Sequence, residues 1–171
     1  MTYFPLTKEQ QVWRERTEAI AANELAPRAK ETDRLGQYPA QALDVLKMEG
    51  FFGLRVSKEH GGLGEDMVTT CLVVEELAKK CPSTCMCYKM HLEAAEIICR
   101  IPTDHQVEHF VKPMAQGEVF TSIAGGESWG DGDNWTSVAT TSHVTKVPGG
   151  YQLGGIRKSY VTYAGHATHY Q

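Results

Sequence analysis

Residues 110–126 read FVKPMAQGEVFTSIAGG, and two periodicities meet inside them. Val107, Phe110, Val111 and Met114 recur at helical spacing, and Gly117 stops the run. Val119-Phe120-Thr121-Ser122-Ile123-Ala124 then continues with residues that suit a pleated, half-buried surface. A helical part over 1–117 and a β part over 118–171 make the chain α+β. Glycine follows the same division: six of the 16 precede Gly117, although that part is the longer one.

Upstream, the helices are well punctuated. Thr7 with Gln10 and Thr103 with Gln106 are capping boxes, in which the Thr hydroxyl and the Gln side chain each satisfy a backbone amide of the other residue. The first helix carries Val12, Trp13, Ala19, Ile20 and Ala26 on its apolar face, and Pro27 is expected to interrupt it. Pro39 opens a second helix with Leu43, Val45 and Leu46 apolar and Gly50 at its end. Residues 51–65, FFGLRVSKEHGGLGE, have no period and read as a loop. Val68, Leu72, Val73 and Leu77 mark a third helix, and Pro82 restarts the chain into a fourth through Met86, Met90, Leu92 and Ile97. With the helix opened by Thr103, this predicts a bundle of five short helices.

Downstream, Ser137–Val147 and Tyr151–Leu153 flank Pro148-Gly149-Gly150 as a hairpin, and Lys158–Tyr163 reads as a last strand. So few strands leave an exposed edge, and the β part reads as unfinished.

Composition narrows the function classes. A formal charge of −4 and a pI near 6.0 argue against a generic nucleic-acid binder. No apolar run approaches the roughly 18 residues of a membrane-spanning helix, and MTYFPLTKEQ does not read as a secretory signal. Five cysteines, an odd number, suggest free thiols in a reducing compartment, so a cytoplasmic protein is expected. Cys81, Cys85, Cys87 and His91 form C-x3-C-x-C-x3-H, a spacing unlike the usual closed zinc sites. The cysteines are read as buried small hydrophobes, and no metal is expected. His105 and His109 read as surface residues.

The loop GGESWGDGD at 125–133 carries four glycines and three acids. Such a loop can cradle a phosphate or admit a planar cofactor close to the backbone, or be an ordinary acidic turn. It has neither a Walker lysine nor a G-x-G-x-x-G pattern.

The order of the segments adds more. GFFGLRVSKEHGGLGED at 50–66, VVEELAKKCPS at 73–83, FVKPMAQGE at 110–118 and above all GGYQLGGIRKSYVTYAGHA at 149–167 resemble, in that order, motifs of the acyl-CoA dehydrogenase family. The resemblance covers nearly the whole chain. It implies an N-terminal helical domain, followed by an incomplete antiparallel β-barrel-like middle domain, with the family's C-terminal helical domain absent. It also implies FAD as cofactor and α,β-dehydrogenation of an acyl thioester as the reaction. By motif, Ile123, Gly125 and Gly126 correspond to the strand end that meets the flavin's polar edge. Gly132 stands where the family usually has the Ser of its T-E-P-x-x-G-S-D loop. Tyr160 corresponds to the Trp that covers one ring face, and Thr162 to the Thr near N5 and O4. Cys85, Tyr88, Lys89 and Leu92 are the candidates for the acyl-pocket wall.

The family's catalytic base, a carboxylate, belongs to the C-terminal domain, so no catalytic residue is assigned and the isolated chain is expected to be inactive. The substrate implied is acyl-CoA-like. The partners implied are a second copy of the chain or a complementing C-terminal chain, and an electron-transfer flavoprotein. Gly126 and Gly132 replace the Thr and Ser hydroxyls of T-E-P-x-x-G-S-D. That departure is compatible with a flavin monooxygenase of the same fold, and a non-catalytic subunit is the third alternative.

Overall fold

A computed structural model describes residues 5–127, 142–155 and 157–171. The helical part runs α1 (Lys8–Ile20), α2 (Ala26–Leu35), α3 (Ala40–Met48), α4 (Met67–Lys80), α5 (Pro82–Arg100), α6 (Asp104–Gln106) and α7 (Lys112–Ala115). Both capping boxes form: Gln10 N donates to Thr7 Oγ1 at 3.2 Å, and Gln106 N donates to Thr103 Oγ1 at 3.3 Å. α1 packs on α4 and α4 on α5.

Pro27 does not interrupt the first helix. A π-helical turn over Ala21–Leu25 joins α1 to α2, with the Ala26 N–H reaching back to the Ala21 carbonyl. The same device recurs over Val107–Val111, where the Lys112 N–H reaches Val107, and Pro113 follows at the same offset as Pro27. The extra residue of each wide turn shifts the carbonyl register just ahead of a ring that has no N–H to donate. Val12, Val68, Met86 and Ile97, expected on apolar faces, are exposed instead.

The aperiodic stretch after α3 is part of the core. Phe51, Phe52, Leu54 and Val56 are buried there. The segment closes on itself through Leu63 N to Gly53 O at 2.9 Å, Gly64 N to Val56 O at 2.7 Å and Glu65 N to Leu54 O at 2.9 Å. A Cβ at Gly62 would collide with Val56, lying 2.6 Å from its carbonyl carbon. Gly62→Ala is therefore expected to cost about 2 kcal/mol in urea unfolding, the usual scale of overpacking.

The β part departs further from expectation. β1 (Thr121–Ser122) pairs with β4 (His169–Tyr170) in parallel, while β2 (His143–Val147) pairs with β3 (Gly150–Gly154) as the antiparallel hairpin. Among the described residues these ladders do not close into a barrel. Residues 137–141 of the expected strand lie outside the described residues. The strand expected at Lys158–Tyr163 is a single antiparallel bridge, Lys158 with Glu127, followed by a turn over 162–166. Tyr160 and Tyr163 explain the difference, because both adopt left-handed backbone angles (φ 56° and 46°) that no strand accommodates. In return the Tyr163 ring stacks on Phe120 at 4.4 Å and its hydroxyl donates to the Thr121 carbonyl.

Candidate functional site

The site is built where α4, α5 and the segment after β1 come together. A cleft of about 650 Å³ lies between α4 and α5. Met67, Cys71 and Val74 from α4, and Leu92 and Ile97 from α5, line it, with Ile123 among the residues that bound it. The exposed walls of the cleft are overwhelmingly carbon. The charged residues that line it are paired: Arg55 with Glu96 at 2.6 Å, Lys89 with Glu93, and Glu75 with Lys79 at 3.0 Å. Such a surface suits a flexible hydrocarbon better than a polar or charged ligand.

Of the four residues expected to form the acyl wall, Lys89 and Leu92 line this cleft. Cys85 and Tyr88 do not. The Cys85 thiol donates to the Val74 carbonyl at 3.2 Å, and burial, with Cys81 adding to it, pushes its pKa up to about 11. Tyr88 is fully buried beside Phe51 and Phe52, and its hydroxyl donates to the Phe51 carbonyl at 2.8 Å. Burial holds its pKa well above the ordinary phenol value. Cys81, Cys85 and Cys87 all sit in the hydrophobic core, as small hydrophobes do. His105 and His109 are exposed, their rings 4.1 Å apart.

The residues expected to flank a flavin fall on two segments, and these adjoin. Ser159 N donates to the Gly126 carbonyl at 2.9 Å, and Ser122 Oγ donates to the Thr162 carbonyl at 3.0 Å. Ile123, Gly125 and Gly126 thus run beside the chain that carries Tyr160 and Thr162. Gly125 and Gly126 leave this backbone without side chains, and a Cβ at Gly126 would lie 3.2 Å from the Ser159 carbonyl oxygen. The Tyr160 side chain projects outward, 76% exposed. Gly132 lies outside the described residues.

Immediately after Gly126, Glu127 is 1% exposed. Its carboxylate accepts from Lys158 Nζ at 2.7 Å, from Ser142 N at 3.2 Å and from the Ser142 hydroxyl. This buried ion pair ties 127, 142 and 158 together next to the glycines.

Three parts of the site escaped the sequence reading. The first is the α4 wall, although Met67, Cys71 and Val74 recur at i, i+4 and i+7, a second stripe beside Val73 and Leu77. The second is the Glu127–Lys158 pair, which carries no local signal because 31 residues separate its members. The third is His91, fully buried, with Nε2 3.1 Å from the Phe52 carbonyl and Nδ1 3.3 Å from Thr121 N.

Comparison with known proteins matches residues 7–118 to the family described as acyl-CoA dehydrogenase, N-terminal domain. The chain is 34% identical over 121 residues to a probable acyl-CoA dehydrogenase, YngJ, of Bacillus subtilis, covering 70% of this chain and 32% of that protein. It is 29% identical over 164 residues to an acryloyl-CoA reductase (NADH) of Anaerotignum propionicum, covering 96% of this chain and 41% of that protein. Its fold superposes on butyryl-CoA dehydrogenase from Megasphaera elsdenii with a TM-score of 0.84 and 28% identity, over 96% of this chain and 43% of that one. The chain therefore spans about a third to two-fifths of the length of these relatives. No helix among the described residues is long and apolar enough to cross a membrane.

Proposed function

The chain belongs to the acyl-CoA dehydrogenase family, and we propose that it forms the part of a flavin-dependent oxidoreductase that grips the acyl chain and one edge of the flavin. Residues 1–117 are the helical unit of that part, and 118–171 belong to its β unit. The observation that carries this reading is Ile123. It bounds the apolar cleft and also begins the segment, Ile123–Gly126, assigned to the flavin edge. A chain held in the cleft would therefore point its reacting end at the ring.

The residues present fit FAD. Gly125 and Gly126 offer bare backbone, and Tyr160 offers an outward aromatic face on the adjoining segment. Thr162 supplies a hydroxyl there. Held beside Gly125, Gly126, Tyr160 and Thr162, FAD would supply a hydride acceptor for the acyl thioester. The protein's own contribution is positional. Val74, Leu92 and Ile97 desolvate the hydrocarbon, while the paired charges of the cleft leave no single cation to favour an anionic chain. The carboxylate that takes the α-proton would come from outside these residues, from a C-terminal domain or a second polypeptide.

A second reading runs the same site in the reducing direction, toward a saturated acyl thioester. What supports it is that an acryloyl-CoA reductase is 29% identical to this chain over 164 residues.

The test is to titrate the chain with FAD, then with straight-chain acyl-CoAs, alone and with a co-expressed C-terminal half of a relative. Retention of yellow flavin and its anaerobic bleaching by acyl-CoA are the expected results; a chain colourless under every condition removes the proposal. Oxidation of the reduced flavin by an enoyl-CoA would favour the reductase. Ile97→Glu places a charge on the cleft wall at a position already 59% exposed. It is expected to weaken acyl-CoA binding about tenfold, or ~1.4 kcal/mol, without moving the melting temperature.

A further inference from the structure

Backbone hydrogen bonds around β1 leave one group in need of an unusual partner. Toward β4, the Phe120 carbonyl accepts from Thr168 N at 2.8 Å, the Ser122 carbonyl from Gln171 N at 2.9 Å, and Ala124 N donates to the Gln171 carbonyl. Thr121 points the other way. Its carbonyl accepts from the Tyr163 hydroxyl, and its N–H faces α5. An α-helix has no spare carbonyl to offer there, so a buried N–H at that point must find a side chain or remain unpaired. His91 meets it, with Nδ1 3.3 Å from Thr121 N.

We propose that His91 is a positioning residue: held as the Nε2–H tautomer between the Phe52 carbonyl and the Thr121 N–H, it fixes β1 and, two residues on, the flavin-edge segment beginning at Ile123. Chemistry dictates the tautomer. A carbonyl can only accept and an amide N–H can only donate, so Nε2 must carry the proton and Nδ1 must be bare. The ring is locked in that plane by Phe52 at 4.8 Å and Phe120 at 5.3 Å. An apolar residue would fill the same space and leave two buried backbone groups unanswered. The Thr121 hydroxyl does not share the task, since Oγ1 is buried and has no hydrogen-bond partner among the described residues. The side chain that is itself buried in the β strand is thus idle, and the tether is supplied from α5.

This inference rests on the proposed flavin site for its consequence, though not for its geometry, and the experiments separate the two. In the wild-type chain, imidazole nitrogen shifts should report the Nε2–H tautomer, with a scalar coupling across the hydrogen bond between Thr121 N and His91 Nδ1. The Nδ1–H tautomer would overturn the proposal without any substitution. Asn places an oxygen near the Nδ1 position, whereas Gln reaches the Nε2 position and Leu neither. Amide exchange at Thr121 should stay within about threefold of wild type in H91N and accelerate about tenfold or more in H91Q and H91L. Equal protection in all three folded variants would also overturn it. If wild-type chain binds FAD, H91Q should weaken that binding and H91N should restore it. If wild-type chain leaves FAD unbound under every condition, the flavin reading fails, while the tautomer and exchange results still decide the role of His91.

Discussion

Replacing Lys158 with methionine is expected to lower the unfolding free energy by about 3–5 kcal/mol, the scale on which breaking a buried ion pair acts. Glu127 is 1% exposed, and its carboxylate rests on Lys158 at 2.7 Å and on the backbone and hydroxyl of Ser142. Removing the ammonium takes a cation from a carboxylate that water cannot reach. For a chain of this size the melting temperature should fall by about 10 °C, at roughly 2–4 °C per kcal/mol. Glu127→Gln in the same background should recover more than half of the loss, because an amide oxygen still accepts from Ser142 N without a charge to compensate. The double-mutant cycle is the measurement. A Lys158→Met protein as stable as wild type would mean the pair contributes nothing.

The second large effect is acid sensitivity through His91. Burial lowers its pKa to about 4, against the hydrogen bond to the Phe52 carbonyl, which acts to raise it. The ordinary unfolded value is about 6.5. Between these values the unfolded chain takes up a proton that the folded chain refuses, so folding is favoured less as pH falls. The contribution is fully present above about pH 6.5, erodes between 6.5 and 4 by up to about 1.4 kcal/mol per pH unit, and amounts to about 3 kcal/mol when lost. Urea midpoints measured from pH 7.5 to 4 should show this slope in wild type. H91N, which has nothing to protonate there, should be flatter over the same window. Glu76 is a useful contrast on α4. Burial would raise its pKa, but hydrogen bonds from Lys79 and Arg14 outweigh that and hold it below the carboxylate norm. Its contribution is therefore kept through most of the His91 window and is lost progressively as pH falls below the ordinary carboxylate value of 4.5.

Local signals carried most of the helical architecture. Thr7, Thr103 and Gly50 act within three or four residues of themselves, and such short-range chemistry is readable in one dimension. What was not readable depended on distant partners. Pro27 looks like a helix breaker until the π-turn before it is seen. Phe51, Phe52, Leu54 and Val56 have no period because they fill a core from an irregular backbone. Lys158–Tyr163 has strand composition, yet Tyr160 and Tyr163 take left-handed angles; at Tyr163 the Phe120 face and the Thr121 carbonyl offset the backbone cost.

The candidate site divides along the same line. The resemblance of 149–167 to a family motif located Tyr160 and Thr162, and the fold lays that segment against Gly126. Lys89 and Leu92 line the cleft, whereas Cys85 and Tyr88, one turn earlier on the same helical stripe, are buried in the core, and spacing along a helix does not say where a cleft begins. The α4 wall could have been found from Met67, Cys71 and Val74 at helical spacing. The tether at His91 could not, because it pairs a helix residue with a backbone amide 30 positions away.

In the proposed site, Ile123 belongs to both the acyl cleft and the flavin edge. Methyl resonances of the chain, followed during separate titrations with FAD and with a straight-chain acyl-CoA, test it most directly. Acyl-CoA is expected to move the methyls of Val74, Leu92 and Ile97, and FAD the amides of Gly125 and Gly126. Ile123 alone should respond strongly to both. Acyl-CoA perturbing a different surface, or an Ile123 methyl indifferent to both ligands, would contradict it.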